Sequence, residues 1–329
     1  MTVRYTHLHL HSEYSLVDST IRIKALVALT DDSNMFALVK FYKACSAAGI
    51  KPIGGCDLWI SAPDDPRPWR LTLLCQNREG YLNLSRLVSR AWQEGQHGGR
   101  ALVEAGWLSA DASHGLIALI GRDSEVGRIA QNQGSDAALA RLRPLLQLFP
   151  DRLYLELTRC GREGEENWNT AALALAAELV LPVVASNDVR FLTQDDFGAH
   201  EARVCINQGR VLADPKRPRE YSDQQYLKTP DEMAALFADL PEALENSVEL
   251  ARRCNLELQF GKYYLPDFPV PSGHDLNSHI RDLSRQGLRE RLANAPLAVG
   301  HTLADYEARL ERELDVIVEM GFPGYFLIV

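Results

Sequence analysis

What this chain of 329 residues lacks narrows its chemistry before anything else does. It has no C-x-x-C pair: Cys45, Cys56, Cys75, Cys160, Cys205 and Cys254 are scattered. That pattern excludes a zinc knuckle or a disulfide frame and reads as reduced thiols. It has no Gly-x-Gly-x-x-Gly or Walker-type loop to support a nucleotide-binding sheet. No apolar run reaches membrane-spanning length, and residues 1–12 lack the apolar core of a signal peptide. Positive charge is not in excess either. Lys plus Arg number 35 against 44 for Asp plus Glu, a net charge of −9, which argues against a main nucleic-acid clamp. The expectation is a soluble cytoplasmic protein without membrane contact. Its 46% hydrophobic and 24% charged residues suit a globular chain of one large domain or two ordinary ones.

What is present begins with Tyr5-Thr-His-Leu-His-Leu-His-Ser12. On a strand of period two, His7, His9 and His11 share one face, and Leu8 and Leu10 the other. Neutral imidazoles brought to one point are what a metal site requires. Ala25 to Thr30 predicts a buried parallel strand with Asp31 and Asp32 at its carboxyl end, where α/β folds place their chemistry. The segment from Glu13 to Lys24 is short for a parallel crossover, so residues are expected to be missing around Lys24–Ala25.

Further along, the pattern predicts a helix over Phe36–Ala48 closed by Gly49, then a strand over Ile50–Ile60 carrying Asp57. A Pro-rich turn at 63–68 leads to strand Arg70–Cys75 and a helix over Tyr81–Trp92. Strands follow at Leu116–Ile120, Leu153–Leu157 and Leu181–Arg190, with helices over Ala137–Leu148 and Asn169–Leu179 between them. Strand–helix alternation with a polar group after most strands predicts a closed (β/α) barrel, with an open doubly wound sheet as the alternative. Residues 197–259 turn helical and acidic, and Tyr263–Pro271 reads as an extended linker. Amphipathic helices are predicted at 275–294 and 303–320. Gly321–Val329 ends inside an apolar element, as the front part of something larger would.

The stretches HLHLHSEYSLVDS, ALTDDSNMFALVKFYKA, GIKPIGGCDLW, NREGYLNLSRLVS, GLIALIG, LPVVASNDVRF, YLPDFPVP and ELDVIVEMGFPGYFLIV resemble, in order and across the whole chain, one family. It is the N-terminal region of the bacterial replicative DNA polymerase III alpha subunit, which opens with a PHP (polymerase and histidinol phosphatase) domain. The resemblance implies a distorted seven-stranded TIM-like (β/α) barrel within residues 1–270, including a helical extension. Residues 271–329 would be the linker and start of the polymerase palm. The aspartates of nucleotide addition and their magnesium would then lie beyond Val329.

Metal-holding members of that family ring the barrel mouth with His, Asp, Glu and Cys ligands. By resemblance, His9, His11, Asp18, Asp57 and Asp188 match ligand positions, and His9, His11, Asp57 and Asp188 would hold one or two zinc or manganese ions if any are bound. Asp32, Arg70, Arg122 and Arg190 replace ligands at the remaining positions. Arginine stays protonated and has no lone pair to give. The expectation is that guanidiniums of Arg70, Arg122 and Arg190 neutralise Asp18, Asp31, Asp32, Asp57 and Asp188 where the family holds metal. The domain then reads as a non-catalytic scaffold that docks a separate proofreading 3′–5′ exonuclease subunit, while DNA and other replicase subunits meet the rest of the chain. The alternatives are an active metal-dependent phosphoesterase or exonuclease, or the error-prone paralogue of the polymerase. His200 reads as a packing or capping residue, and Asp214–Arg219 as an exposed turn, though a basic one that could touch a phosphate backbone.

Overall fold

A computed structural model of the chain describes residues 5–15, 18–22, 27–63, 65–262 and 267–329. The crossover around Lys24–Ala25 and residues 263–266 of the expected linker lie outside those described. Two compact units are found, Met1–Leu258 and Gln259–Val329.

The first unit is an α/β domain. It begins with β1 (Ala28–Leu29), α1 (Leu38–Ala47), β2 (Ile53–Ala62), β3 (Asp65–Cys75) and α2 (Arg78–Glu94). It continues through β4 (Gln96–His97), β5 (Arg100–Glu104), α3 (Ala110–Ser113), β6 (Leu116–Ile120), α4 (Glu125–Gln133) and α5 (Ser135–Leu148). Then come β7 (Leu153–Thr158), α6 (Glu165–Leu179), β8 (Val183–Ser186), α7 (Phe197–Asn207), α8 (Pro230–Leu236) and α9 (Pro241–Arg253). The strands form one mixed sheet in the order β4-β5-β2-β3-β6-β7-β8, with β1 also beside β2. The pairs β1–β2, β2–β5, β6–β7 and β7–β8 are parallel, and helices flank the sheet.

Strand–helix alternation fails between β2 and β3, which form a direct antiparallel hairpin. The stretch read as a Pro-rich turn is largely strand. Pairing skips from Trp69 to Asp65 across an irregularity, so Pro66 and Pro68 fall where no ladder N–H is required. The first histidine segment also departs from strict period two. The chain bends at His9 and makes a single bridge, Leu10 to Val189. In consequence Leu8 joins one apolar cluster and Leu10 another.

Period two does hold along the other strands, and it places the site. One cluster contains Ile53, Leu74, Ile117, Leu119, Tyr154 and Val184, the inward residues at the starts of β2, β6, β7 and β8 and the end of antiparallel β3. Two and four residues along the same faces stand Asp57, Thr72, Arg70, Glu156, Thr158 and Asp188, around one cavity. The opposite faces carry Leu58, Leu73, Ala118, Leu155 and Ala185 into a larger cluster with Trp168, Leu175 and other helix side chains. The strands β2, β3, β7 and β8 thus lead from an apolar base to the polar mouth on one face, while their other faces hold the larger apolar cluster.

The second unit holds α10 (Leu276–Asn294), α11 (Leu303–Glu319) and α12 (Pro323–Ile328). Asp275 and Thr302 start the first two as reciprocal N-caps, which is why these helices begin where the sequence places them.

Candidate functional site

The polar mouth is organised by Asp57, fully buried at mid-β2. Its Oδ2 accepts from Arg70 Nη1 at 2.7 Å and lies 3.3 Å from both His9 Nε2 and His11 Nε2. Thr72 Oγ1 donates to its other oxygen. On the far side of the rings, His9 Nδ1 meets Glu156 Oε1 at 2.8 Å, and His11 Nδ1 meets Asp18 Oδ1 at 2.9 Å.

Guanidiniums bind these carboxylates into one network. Arg190, 2% exposed, donates from Nη1 to Asp18 Oδ2 at 2.5 Å and from Nη2 to Asp188 Oδ1, with Nη1 also packed against the His11 ring at Nδ1. Arg70 stands 3.4 Å from Asp18 Oδ2 and 3.5 Å from Asp32 Oδ2, with its plane over the Trp59 ring. Trp59 Nε1 donates in turn to Asp32 Oδ2 at 3.2 Å. Arg162 joins Asp188 Oδ2 at 3.1 Å to Asp123 Oδ2 at 2.9 Å. Tyr221 and Gln225, from the segment before α8, donate to Asp18 and Asp188 at 3.2 and 2.9 Å.

The charges follow from these contacts. Burial alone would strip the His9 proton, but Glu156, Asp57 and Asp188 around it hold its pKa well above the ordinary range. His11 is raised as well: burial and Arg190 oppose its charge, and Asp18 with the Asp57 hydrogen bond prevails. Burial would raise Asp57, yet His9 and Arg70 hold it well below the usual carboxylate range. Asp18 and Asp188 are likewise depressed against burial, chiefly by Arg190. Asp32 goes the other way, raised by burial more than Arg70 can offset.

Among the described residues, the group that could hold a metal ion is His9, His11 and Asp57, whose ligand atoms lie within 4.8 Å of one another. The fit is poor. The Asp57 oxygen facing both imidazoles is the one Arg70 already occupies. A dication there would stand on the order of 5 Å from a guanidinium, a repulsion of several kcal/mol at an effective dielectric of about 20. Three ligands beside Arg70 and Arg190 do not make a two- or three-ion phosphoesterase cluster.

His9, His11, Asp18, Asp32, Asp57, Arg70, Asp188 and Arg190 are therefore brought together. Arg122 is set apart: it lines the same cavity but pairs with Asp123 at 3.2 Å. Asp31 does not converge with the others. It accepts from Ser12 N, Ser12 Oγ and Ser15 Oγ at 2.6, 2.7 and 3.1 Å, fixing the loop after the histidines. His7 faces away, onto Lys228 O at 2.8 Å, and burial pushes its pKa down to about 4. His200 is buried among Phe191, Phe197 and Tyr221, with Nε2 3.1 Å from Asp18 O, a packing residue. Sequence reasoning missed Glu156 and Arg162. Glu156 had a signal, a lone acid inside the apolar strand LYLELT; Arg162 sits in a loop without a motif.

A PHP domain profile matches residues 7–160, and a profile described as the bacterial DNA polymerase III alpha NTPase domain matches residues 278–329. DNA polymerase III subunit alpha of Pseudomonas aeruginosa is 50% identical over 349 positions, covering 100% of this chain. The chain is a homologue of bacterial DNA polymerase III alpha subunits, and it opens with a PHP domain. The subunit of Escherichia coli K12 is 43% identical over 344 positions, covering 99% of the chain. The chain spans 29% of the length of each of these relatives. Among solved structures, a putative metal-dependent phosphoesterase from Bifidobacterium adolescentis overlaps at 14% identity and a TM-score of 0.33, covering 55% of this chain and 86% of that one; so loose a likeness carries no argument. Among the described residues of this PHP domain the metal-binding set is a partial one of three residues, consistent with a degenerate, non-catalytic site.

Proposed function

We propose that this PHP domain serves a cytoplasmic replicase as architecture, its pocket held by guanidiniums where metal-dependent relatives hold ions. The carrying observation is the Arg190 fork onto Asp18 and Asp188 together with Arg70 on Asp57. In this reading His9, His11, Asp18, Asp32, Asp57, Arg70, Arg122, Asp188 and Arg190 are vestigial metal-site positions. No zinc or manganese is needed there. The PHP domain would run over residues 1–270 and the entry to the palm over 271–329.

The scaffold we infer is a closed seven-stranded barrel. Support comes from the Leu10 region, which bonds on one side to Val189 (His11 N to its O at 3.1 Å) and on the other to Thr30 (its N to Leu10 O at 2.9 Å). That segment would bridge the β8 edge to the β1 edge. The alignments run over 344 to 349 positions against 329 residues here, so relatives carry extra residues within this span. A fuller crossover near Lys24–Ala25 would account for them.

The whole protein would be a DNA-directed DNA polymerase whose magnesium site lies in the palm. Its PHP domain would dock a separate 3′–5′ proofreading exonuclease, which removes the need for a hydrolytic site of its own. The test is an exonuclease and phosphoesterase assay in manganese, with His9→Ala as control. The scaffold reading expects no activity above that control. Turnover that His9→Ala abolishes would establish an active hydrolase instead.

A further inference from the structure

We propose that the corner where the end of α2 meets the start of α1 is the surface on which this PHP domain seats a protein partner. The partner presents there an amphipathic segment with acidic side chains. The inference rests on the scaffold reading above and gives its docking role a place and a chemistry.

Single exposed apolar side chains are ordinary on a protein surface, but aromatic ones gathered at one place are not. Among the described residues of the first unit, the exposed Phe, Tyr or Trp side chains are Phe36, 65% exposed, and Trp92, 41% exposed. Both stand at this corner. Trp92, in the last turn of α2, donates its Nε1 to Ser33 O at 2.8 Å, which brings the indole to the turn that carries Phe36. In that turn Leu38 N donates to Met35 O at 3.1 Å, and Val39, also exposed, follows Phe36 by three residues onto the same face. The indole is held in place. Ser33 keeps a left-handed backbone, φ 51°, which serine adopts only at some cost. Its N–H donates to Asp57 O at 2.8 Å while its carbonyl takes the indole, so the backbone of the site anchors the ring. An aromatic anchor locked before binding loses little freedom on binding.

Cations ring this apolar centre. Lys40 is exposed, with Nζ donating to Tyr14 Oη at 2.6 Å, and Lys43 lies exposed one turn further on. Arg100 opens β5 just before Ala101, whose O accepts from Ser33 Oγ at 3.4 Å. Its guanidinium stands 4.4 Å from the centre of the Trp59 ring, a stack that keeps the charge on the rim. The β4–β5 hairpin behind it closes through Gly98 and Gly99, at φ 57° and 78°, a two-residue turn suited to glycine. Acids beside these cations are few: Glu94 pairs with Arg90 at 2.8 Å, and Glu13 stands near Lys40. A chain of net charge −9 therefore shows a locally positive rim here. An aromatic centre within a charged rim is the anatomy of a protein interface, and a positive rim selects an acidic partner. A nucleic-acid strand would instead call for cations in a row along its phosphates. A second copy, meeting this patch with its own, would bring two positive rims together.

The probe is the purified proofreading 3′–5′ exonuclease subunit from the same organism, titrated calorimetrically into the chain, with hydrogen exchange on the complex as a second readout. The expected result is saturable binding that protects the amides around Phe36 and Trp92. Phe36→Asp and Trp92→Ala should each weaken binding about tenfold or more, as anchors at the centre of an interface do. Phe36 is mostly in water, so its variant should keep the thermal midpoint of the parent chain. Lys40→Glu combined with Arg100→Glu should weaken binding several-fold and flatten its salt dependence. Val180→Asp, exposed at the base end of the sheet, should change nothing. Equal affinity in the Phe36 and Trp92 variants, or protection confined to other segments, overturns this surface and leaves the docking reading standing. No binding by the unaltered chain overturns both. Tighter binding after the charge reversal overturns the acidic partner. A single-stranded oligonucleotide complex, or a dimer in sedimentation, that Phe36→Asp abolishes would assign the corner to nucleic acid or to a second copy and so overturn the proposal.

Discussion

Two sets of arginine–carboxylate pairs in this chain use the same chemistry in opposite surroundings. At the PHP mouth, the side chains of Arg190, Asp18 and Asp188 are 2%, 0% and 6% exposed. Between α10 and α11, Arg281 and Arg285 pair with Glu311 and Asp315 at similar distances, but those side chains are 24% to 68% exposed. In the helical unit water can replace either partner, so each pair is worth little. In the pocket it cannot, so removing one partner strands the other in low dielectric. The buried set is therefore an all-or-none assembly, and the exposed set a solubilising trim.

The sharpest way to break that contrast is Arg190→Met. It leaves Asp18 and Asp188 short of their main counter-charge and should lower unfolding free energy by about 3–5 kcal/mol, read from the urea midpoint. A loss no larger than for a surface pair would dissolve the distinction. Next in size is the acid response of His7. Its folded pKa lies near 4 and its unfolded value near 6.5, so only the unfolded chain takes up a proton in between. Stability should fall as pH drops from about 6.5 to 4, by up to about 3 kcal/mol, and His7→Gln should flatten that limb. A variant as steep as the parent chain would place the titration elsewhere.

Coupling sharpens the comparison further. A double-mutant cycle of Asp57→Asn and Arg70→Met should show an interaction of about 1–3 kcal/mol, because the two share one buried contact of 2.7 Å. The smallest effect belongs to Arg285→Ala, which should leave the midpoint unchanged within error. A clear loss there would mean that the exposed helix pairs matter more than their solvation allows.

Much of this was legible in the sequence, for identifiable reasons. Strands such as LIALI and LYLELT betray themselves by burial and by period, and caps such as Asp275 and Thr302 mark helix starts. The guanidiniums at 70, 122 and 190 were visible because a family pattern says which residue to expect. What escaped depends on three-dimensional closure. Arg162 reaches Asp123 and Asp188 from a loop, 39 and 26 residues away in sequence. Asp31 sits next to Asp32 and looks equivalent to it, yet the strand end turns one carboxylate toward Trp59 and Arg70 and the other back onto Ser12. The β2–β3 hairpin was hidden because prolines that signal a turn also tolerate an irregular extended stretch.

The most direct test is anomalous scattering from crystals grown with excess manganese and zinc. The account predicts no ordered ion between His9, His11 and Asp57, with Arg70 and Arg190 still on their carboxylates. Two fully occupied ions there, with those guanidiniums swung outward, would contradict it.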